Sequence, residues 1–444
     1  MARRICVGER AISCPALAEP GKGGFLIDRF GFVRPIAARR SAVGKLALAA
    51  LLALSLGACE EVNPSTSSNS SDSFSASAPV TPVQTAPLPG APAASQVGTG
   101  AVHVAVILPL TQASGAPSIV GTSLQDAVQL AADESGGNAV TLSIKDDHST
   151  PDGAKAAAQQ AVAENDDIIL GPLFSPNVRA VGEVAQAANK PVIAFSTDTS
   201  TGAPGVYLLS FLVENYVDRI VDYAASQGKK SFAALIPNND YGRVASAEFQ
   251  QIAAQRGLRV MEIENYTPQT LKAAVGKIAA LGSQIDALFI PEQAEAMPTM
   301  ARALAAAGLN SQKVQILGTG LWNDARVLGL PPLQGAWFAA PENGGFQAFA
   351  QRYRAKFGSD PTRIATLGYD AVSLVIALAK RGGADRFSEN VLTSSAGFNG
   401  ADGIFRFKPN GQNERALAIF EIRNSAAVAL IPAPRSFAGR GSAT

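Results

Sequence analysis

From about residue 101 to 424 the chain alternates short apolar runs with segments whose apolar positions recur every three or four residues. VHVAVIL at 102–108 is an apolar run that predicts a strand covered on both faces. In the next segment Val120, Leu124, Ala127, Val128 and Ala131 share one stripe, with Asp126, Gln129 and Asp133 opposite. That is an amphipathic helix. TLSI (141–144), an alanine-rich helix at 153–163, DIILGP (167–172), a helix near 177–188 and PVIAF (191–195) continue the alternation. After Val206–Phe211 it begins again, with helices near 215–227, 242–255, 270–281 and 294–307 between FAALI (232–236), RVMEIE (259–264), IDALFI (285–290) and VQILG (314–318). AWFAA (336–340), helices at 344–357 and 364–380, and an antiparallel pair of IFRF (404–407) with ALAIFEI (416–422) complete the reading. Strand–helix alternation of this kind predicts βαβ units on parallel sheets. About 320 residues exceed a single core, so two α/β lobes are expected.

A different pattern precedes this region. Arg39, Arg40 and Lys45 form a basic cluster, and Leu46 to Leu56 is an apolar run that ends in Leu56-Gly57-Ala58-Cys59. The run is too short to span a membrane, which takes about 20 residues, and has the layout of a secretion signal. It resembles a bacterial lipoprotein signal, and Cys59 matches the lipid-bearing cysteine. Residues 1–58 are therefore read as a signal region. Residues 1–38 precede the basic cluster and fit an upstream start codon. Residues 59–100, rich in Ser, Thr, Pro and Ala, have almost nothing to bury and read as a tether. A flexible coil of about 40 residues spans roughly 35 Å. Glu60, rather than an aspartate, follows the cysteine; by the lipoprotein resemblance this implies sorting to the outer membrane of the periplasm.

Composition narrows the chemistry. None of the 3 cysteines lies beyond residue 59, so the folded region has no disulfide, no cysteine nucleophile and no thiolate metal site. The 2 histidines, His103 and His148, have no second histidine or cysteine at ligand spacing. A net charge of +1 advertises no basic face, so no nucleic acid partner is expected. No GxSxG, P-loop or strand-following GxGxxG is present, so no enzyme is expected and no cofactor.

Segments VAVILPLT (104–111), KDDHSTPDGAKAAAQQAV (145–162), ILGPLFSPNVRAVGEVA (169–185), LGYDAVSLVIALA (367–379) and GFNGADGIFRFKPNGQ (397–412) together resemble the type I periplasmic solute-binding proteins of the leucine/isoleucine/valine receptor group. The resemblance implies two doubly wound parallel-sheet lobes joined by a hinge of three crossings, with a ligand in the cleft. Lobe 1 is placed at 101–210 plus 335–395, lobe 2 at 211–334 plus 396–424, and a tail at 425–444.

Ligands of open parallel sheets sit beyond the carboxyl ends of strands, at helix N-termini. Four loops fit: Thr111–Gly115, Leu173–Pro176, Ser196–Ser200 and Asn238–Gly242. Pro176 opens a helix behind Ser175, a hydroxyl read as its cap. The resemblance implies that Ser175, Ser196, Thr197 and Asp198 grip a ligand carboxylate and that Tyr241 lines the cleft. The family's ammonium-receiving acid falls at Gly320, which leaves Glu292 or Gln293 to replace it. Asp146 and Asp147 read as structural.

Two functions follow. One is a lipid-anchored receptor that captures a small polar, amino-acid-like solute for an inner-membrane ABC permease. The other, by resemblance to the penicillin-binding protein activators, is an outer-membrane lipoprotein that stimulates a penicillin-binding protein (a peptidoglycan synthase).

Overall fold

The computed structural model describes residues 95–437. The signal region, Cys59 and most of the tether lie outside them. The central apolar runs form interior strands because they are covered on both faces, and βαβ connections bring them side by side in parallel; β8, at the edge of its sheet, is largely exposed. In the first lobe the order is β1 (Ser95–Val97), β2 (Val102–Leu108), α1 (Ile119–Glu134), β3 (Val140–Asp146) and α2 (Pro151–Ala163). It continues with β4 (Ile168–Leu170), α3 (Ser175–Ala187), β5 (Val192–Ala194) and β6 (Val206–Leu208). The sheet runs β1-β3-β2-β4-β5-β6, parallel apart from β1.

The second lobe repeats the plan. It contains α4 (Val213–Ser226), β7 (Ser231–Pro237), α5 (Asp240–Gln255), β8 (Arg259–Tyr266), α6 (Leu271–Ala280) and β9 (Ala287–Phe289). Next come α7 (Met297–Ala306), β10 (Gln315–Gly318), α8 (Ala325–Leu328) and β11 (Trp337–Ala340). The chain then returns to the first lobe with α9 (Asn343–Phe357), α10 (Ala365–Arg381) and α11 (Glu389–Leu392). A small antiparallel sheet follows, of β12 (Phe398–Gly400), β13 (Gly403–Phe407) and β14 (Asn413–Arg415). Finally β15 (Ala418–Arg423) and β16 (Ala426–Ile431) join the second sheet, whose order is β16-β15-β11-β10-β9-β7-β8.

The two-lobed α/β architecture is as expected, but the boundaries differ. Residues 335–340 were placed in lobe 1, yet β11 pairs with β10 and β15 in the second sheet. Phe338 stacks on Phe420 with centroids 5.3 Å apart, which fixes β11 there. Residues 396–415 were placed in lobe 2, yet Phe405 and Phe407 complete the first lobe's core, with Phe407 5.4 Å from Tyr207. IFRF and ALAIFEI do not form one ladder; β13 pairs with β12 and β14, and β15 with β11 and β16. The expected tail contains β16, whose alternating small and branched side chains close the sheet edge. The chain thus crosses between lobes at 209–212, 341–342 and 416–417.

Both sheets have the same switch point. β2 lies between β3 and β4, and β7 between β8 and β9, so helices leave in opposite directions and a crevice opens at the carboxyl ends. The helices start close against the strand ends. Ser118 caps α1 by accepting from Gly121 N, and Asn239 caps α5 by accepting from Gly242 N. A Cβ on Gly121 would sit 2.0 Å from the Pro109 carbonyl oxygen, and one on Gly242 2.0 Å from that of Pro237. Nothing larger than hydrogen fits either turn. Gly242→Ala is therefore expected to destabilise the protein by about 1–3 kcal/mol, as overpacking does. Gly276→Ala, on α6 where a Cβ meets nothing within 4 Å, should stabilise by about 0.5–1 kcal/mol. Urea unfolding of both variants beside the parent measures the contrast.

Candidate ligand-binding site

The strand ends of both lobes converge on a cleft of about 920 Å³, the size of a small-molecule site. Lobe 1 lines it with Leu173, Phe174 and Ser175 after β4, with Phe195 to Asp198 after β5, and with Arg363, Ile364 and Leu367 at the start of α10. Lobe 2 contributes Tyr216 of α4, Tyr241 of α5, Gln293 to Glu295 after β9, and Gly320, Leu321, Asn323, Asp324 and Arg326 after β10. Six of the eight candidate residues (Ser175, Ser196, Thr197, Asp198, Tyr241 and Gln293) lie on this lining.

Thr111 and Glu292 do not. The loop after β2 folds back, so that Thr111 bridges to Pro117 and its hydroxyl donates to Asp146 Oδ2 at 2.7 Å. Asp146 also accepts from the Leu110, Thr111 and His148 amides and so serves this loop. Asp147 is fully buried, accepts from Asn177 Nδ2 and Ser149 N at 2.8 Å, and has its carboxyl pushed up by burial. Among the described residues no group of three or more His, Cys, Asp or Glu could hold a metal ion. Glu292 is buried behind the wall, where it accepts from the Tyr266 hydroxyl and from Gln293 N.

The remaining candidates divide by what their polar atoms already do. The cap of α3 is Phe174, not Ser175; Ser175 is the first helical residue and makes no capping hydrogen bond. Its hydroxyl, with that of the exposed Thr197, has no partner among the described residues. Pro176 has no N–H to offer, so the Ser175 amide is an end-of-helix donor beside that hydroxyl. Ser196 instead accepts from Asp198 N at 3.0 Å and shapes the turn. Asp198 accepts from Ser200 N and Ser200 Oγ, and pairs with Arg179 Nη2 at 2.9 Å. Burial raises the Asp198 carboxyl, but these donors outweigh it and hold it below the usual range. Tyr241 donates to the buried Thr319 hydroxyl at 2.8 Å, so its ring is fixed and burial pushes its own ionisation up.

Gly320 cannot be replaced by an acid in this arrangement. A Cβ there would lie 2.5 Å from a ring carbon of Tyr216. Tyr216 fills the space, and burial pushes its hydroxyl up to about 12, so it stays protonated. Every carboxylate on the lining already has an arginine: Asp198 has Arg179, while Glu295 and Asp324 share Arg326.

Sequence reasoning missed the aromatic and cationic wall. The Arg363 guanidinium lies 4.5 Å from the Phe346 centroid and 4.7 Å from that of Phe211. Behind Phe211, Arg415 lies 4.6 Å from the same ring and 5.4 Å from Phe405. Rings and guanidinium groups therefore alternate from the cleft into the hinge. Asp402, fully buried, holds Arg363 through Nη1 at 2.9 Å and Nη2 at 2.6 Å. Arg415 Nε donates to the Ser210 carbonyl at 2.9 Å, and its two Nη atoms are buried without partners. Asp370 beside it accepts from Ala401 N at 2.6 Å, and burial pushes its carboxyl up to about 7. The only advance signal for this wall is a polar arginine just ahead of an apolar helix.

A family model for periplasmic binding proteins matches residues 101–427. The chain belongs to the periplasmic binding protein family. A Rhodospirillum rubrum structure described as a branched-chain amino acid ABC transporter superposes with a TM-score of 0.65 at 21% identity, covering 74% of this chain and 100% of that one. A Rhodopseudomonas palustris ABC transporter solute-binding protein in complex with 3,4-dihydroxybenzoic acid gives a TM-score of 0.51 at 21% identity, covering 75% and 98%. At these identities the likeness is one of fold. A curated protein of Rickettsia prowazekii, described as uncharacterized, is 24% identical over 180 residues; the match spans 40% of this chain and about half (47%) of that protein.

The hinge charges of this family member give a prediction. Arg415→Met leaves Asp370 buried without its strongest opposite charge, a loss of about 3–5 kcal/mol when the carboxylate is ionised. A carboxyl raised in the folded state favours its neutral form there, so its penalty grows as pH rises from about 4 through about 7. Thermal melts of Arg415→Met should therefore show a larger loss at pH 8 than at pH 5, and adding Asp370→Asn should remove most of that difference.

Proposed function

We propose that this protein is the receptor component of an ABC importer and closes its lobes over a small organic carboxylate. One observation carries the reading: the Ser175 and Thr197 hydroxyls are unpartnered on a cleft whose acidic groups are all paired with arginine. Such a site offers donors to an anion and no free carboxylate to an ammonium group. Hydroxyls and an end-of-helix N–H favour a carboxylate for the same reason that they favour phosphate. Phe174 and Leu321, both exposed on the lining, supply apolar surface for the ligand's body. Aromatic acids and branched-chain acids thus suit the site better than a polar α-amino acid. The R. palustris neighbour, in complex with an aromatic acid, is consistent with that range. The same reading takes Cys59 as a lipid anchor in the periplasm, with an inner-membrane permease as partner.

Isothermal titration calorimetry of residues 95–444 against aromatic, branched-chain and α-amino acids tests the proposal. Carboxylates lacking an ammonium group are expected to bind. Ser175→Ala and Thr197→Val should each weaken binding about tenfold, the scale of a hydrogen bond to a charged group. A second reading rests on Glu60 after Cys59 and on the Ser/Pro/Ala stretch: an outer-membrane lipoprotein that contacts a peptidoglycan synthase. A panel with no binding would favour it.

A further inference from the structure

Resting on that reading, we propose that Arg363 and Tyr216 form a second acid-group subsite at the hinge end of the cleft, so that the preferred solute is a dicarboxylic acid. Both side chains line the cavity. Asp402 takes one hydrogen from each Nη of Arg363. The other N–H groups of the guanidinium have no partner among the described residues, and the side chain is 42% exposed. Its guanidinium lies over both the Phe211 and Phe346 rings, and its Nη atoms are tied to a carboxylate with no exposure of its own. The donors that remain are thus presented in a fixed orientation, the preorganisation that favours bidentate capture of a planar acid. The Tyr216 hydroxyl also has no hydrogen-bond partner among the described residues. It lies near enough to Arg363 for that charge to act on its ionisation.

The surrounding charge points the same way. Asp402 offsets Arg363, but Arg415 stands behind the shared Phe211 ring. Its nearby acid, Asp370, has a carboxyl pushed up by burial to about 7 and is only partly ionised at neutral pH. The hinge end therefore sets two guanidinium groups, Arg363 and Arg415, around one ring. The other acids of the lining, Glu295 and Asp324, lie on the other lobe against Arg326 and are partly exposed to solvent, where salt screens them.

The test compares matched acids by calorimetry: benzoate with isophthalate, and pentanoate with glutarate. The dicarboxylate of at least one pair should bind the parent protein about tenfold or more tightly than its partner. In Arg363→Gln that ratio should fall to about one, and in Arg363→Lys it should be partly retained. Since Arg363→Gln strands Asp402, the double variant Arg363→Gln/Asp402→Asn provides the same reading without a buried unpaired charge. A parent protein that binds the monocarboxylates equally well, or a ratio that survives in both glutamine variants, overturns the subsite and leaves the proposed function standing. Absence of binding by all four acids overturns both.

Discussion

Arg415 is the group on which the arrangement of the two lobes depends. A guanidinium with almost no exposure is costly to bury, and burial pulls its ionisation below the usual range. The molecule answers with the Ser210 carbonyl, two aromatic faces and two nearby acids, Asp370 and Asp402. Ser210 and Phe211 belong to the first crossing, Arg415 borders the third, and Phe346 and Arg363 follow the second. Asn413 adds its own hydrogen bond to the Ser210 carbonyl at 2.8 Å, and Asn215 reaches across to Asn413 at 3.0 Å. The crossings are thereby fastened to one another at the base of the cleft, and the walls meet again where Thr199 donates to Glu214 at 2.9 Å and Asn323 bonds Asn343 at 2.8 Å. Rotation of one lobe against the other is a hinge motion of the ordinary kind, and here its axis is chemically defined.

The same geometry keeps the cleft from being strongly charged. Most of its ionised groups are paired within their own lobe, so closing the lobes brings few bare charges together. Asp198 illustrates this. Left bare, its carboxylate would repel an anion, yet Arg179 and Ser200 have already satisfied it. What faces the ligand is a set of neutral hydroxyls, fixed rings and one clamped arginine.

How much of this was legible in the sequence depends on the range of the interaction. Strands and helices were readable because their apolar periods are local; VHVAVIL and the stripe of Val120 to Ala131 became β2 and α1. The loops that build the cleft were readable because chain direction at a parallel strand end is also a local property. Lobe boundaries were not, since nothing near Trp337 or Phe405 says which sheet or core will accept them. Thr111 was misplaced for a related reason: only the folded loop shows that Asp146 claims its hydroxyl. Arg363 escaped notice because its meaning comes from Phe211, Phe346 and Asp402, and only the fold assembles them.

The triple crossing also bears on how such a molecule can be rearranged over time. Each lobe is assembled from separated stretches of chain, the first from 95–208 and 343–415, the second from 213–340 and 418–431. No single contiguous segment encodes either one. A gene fragment carrying residues 95–340 would supply the whole first sheet but lack α10, which packs against α1, and β15, which flanks β11. Halves of this protein are therefore poor units for shuffling, even though each sheet repeats the other's plan.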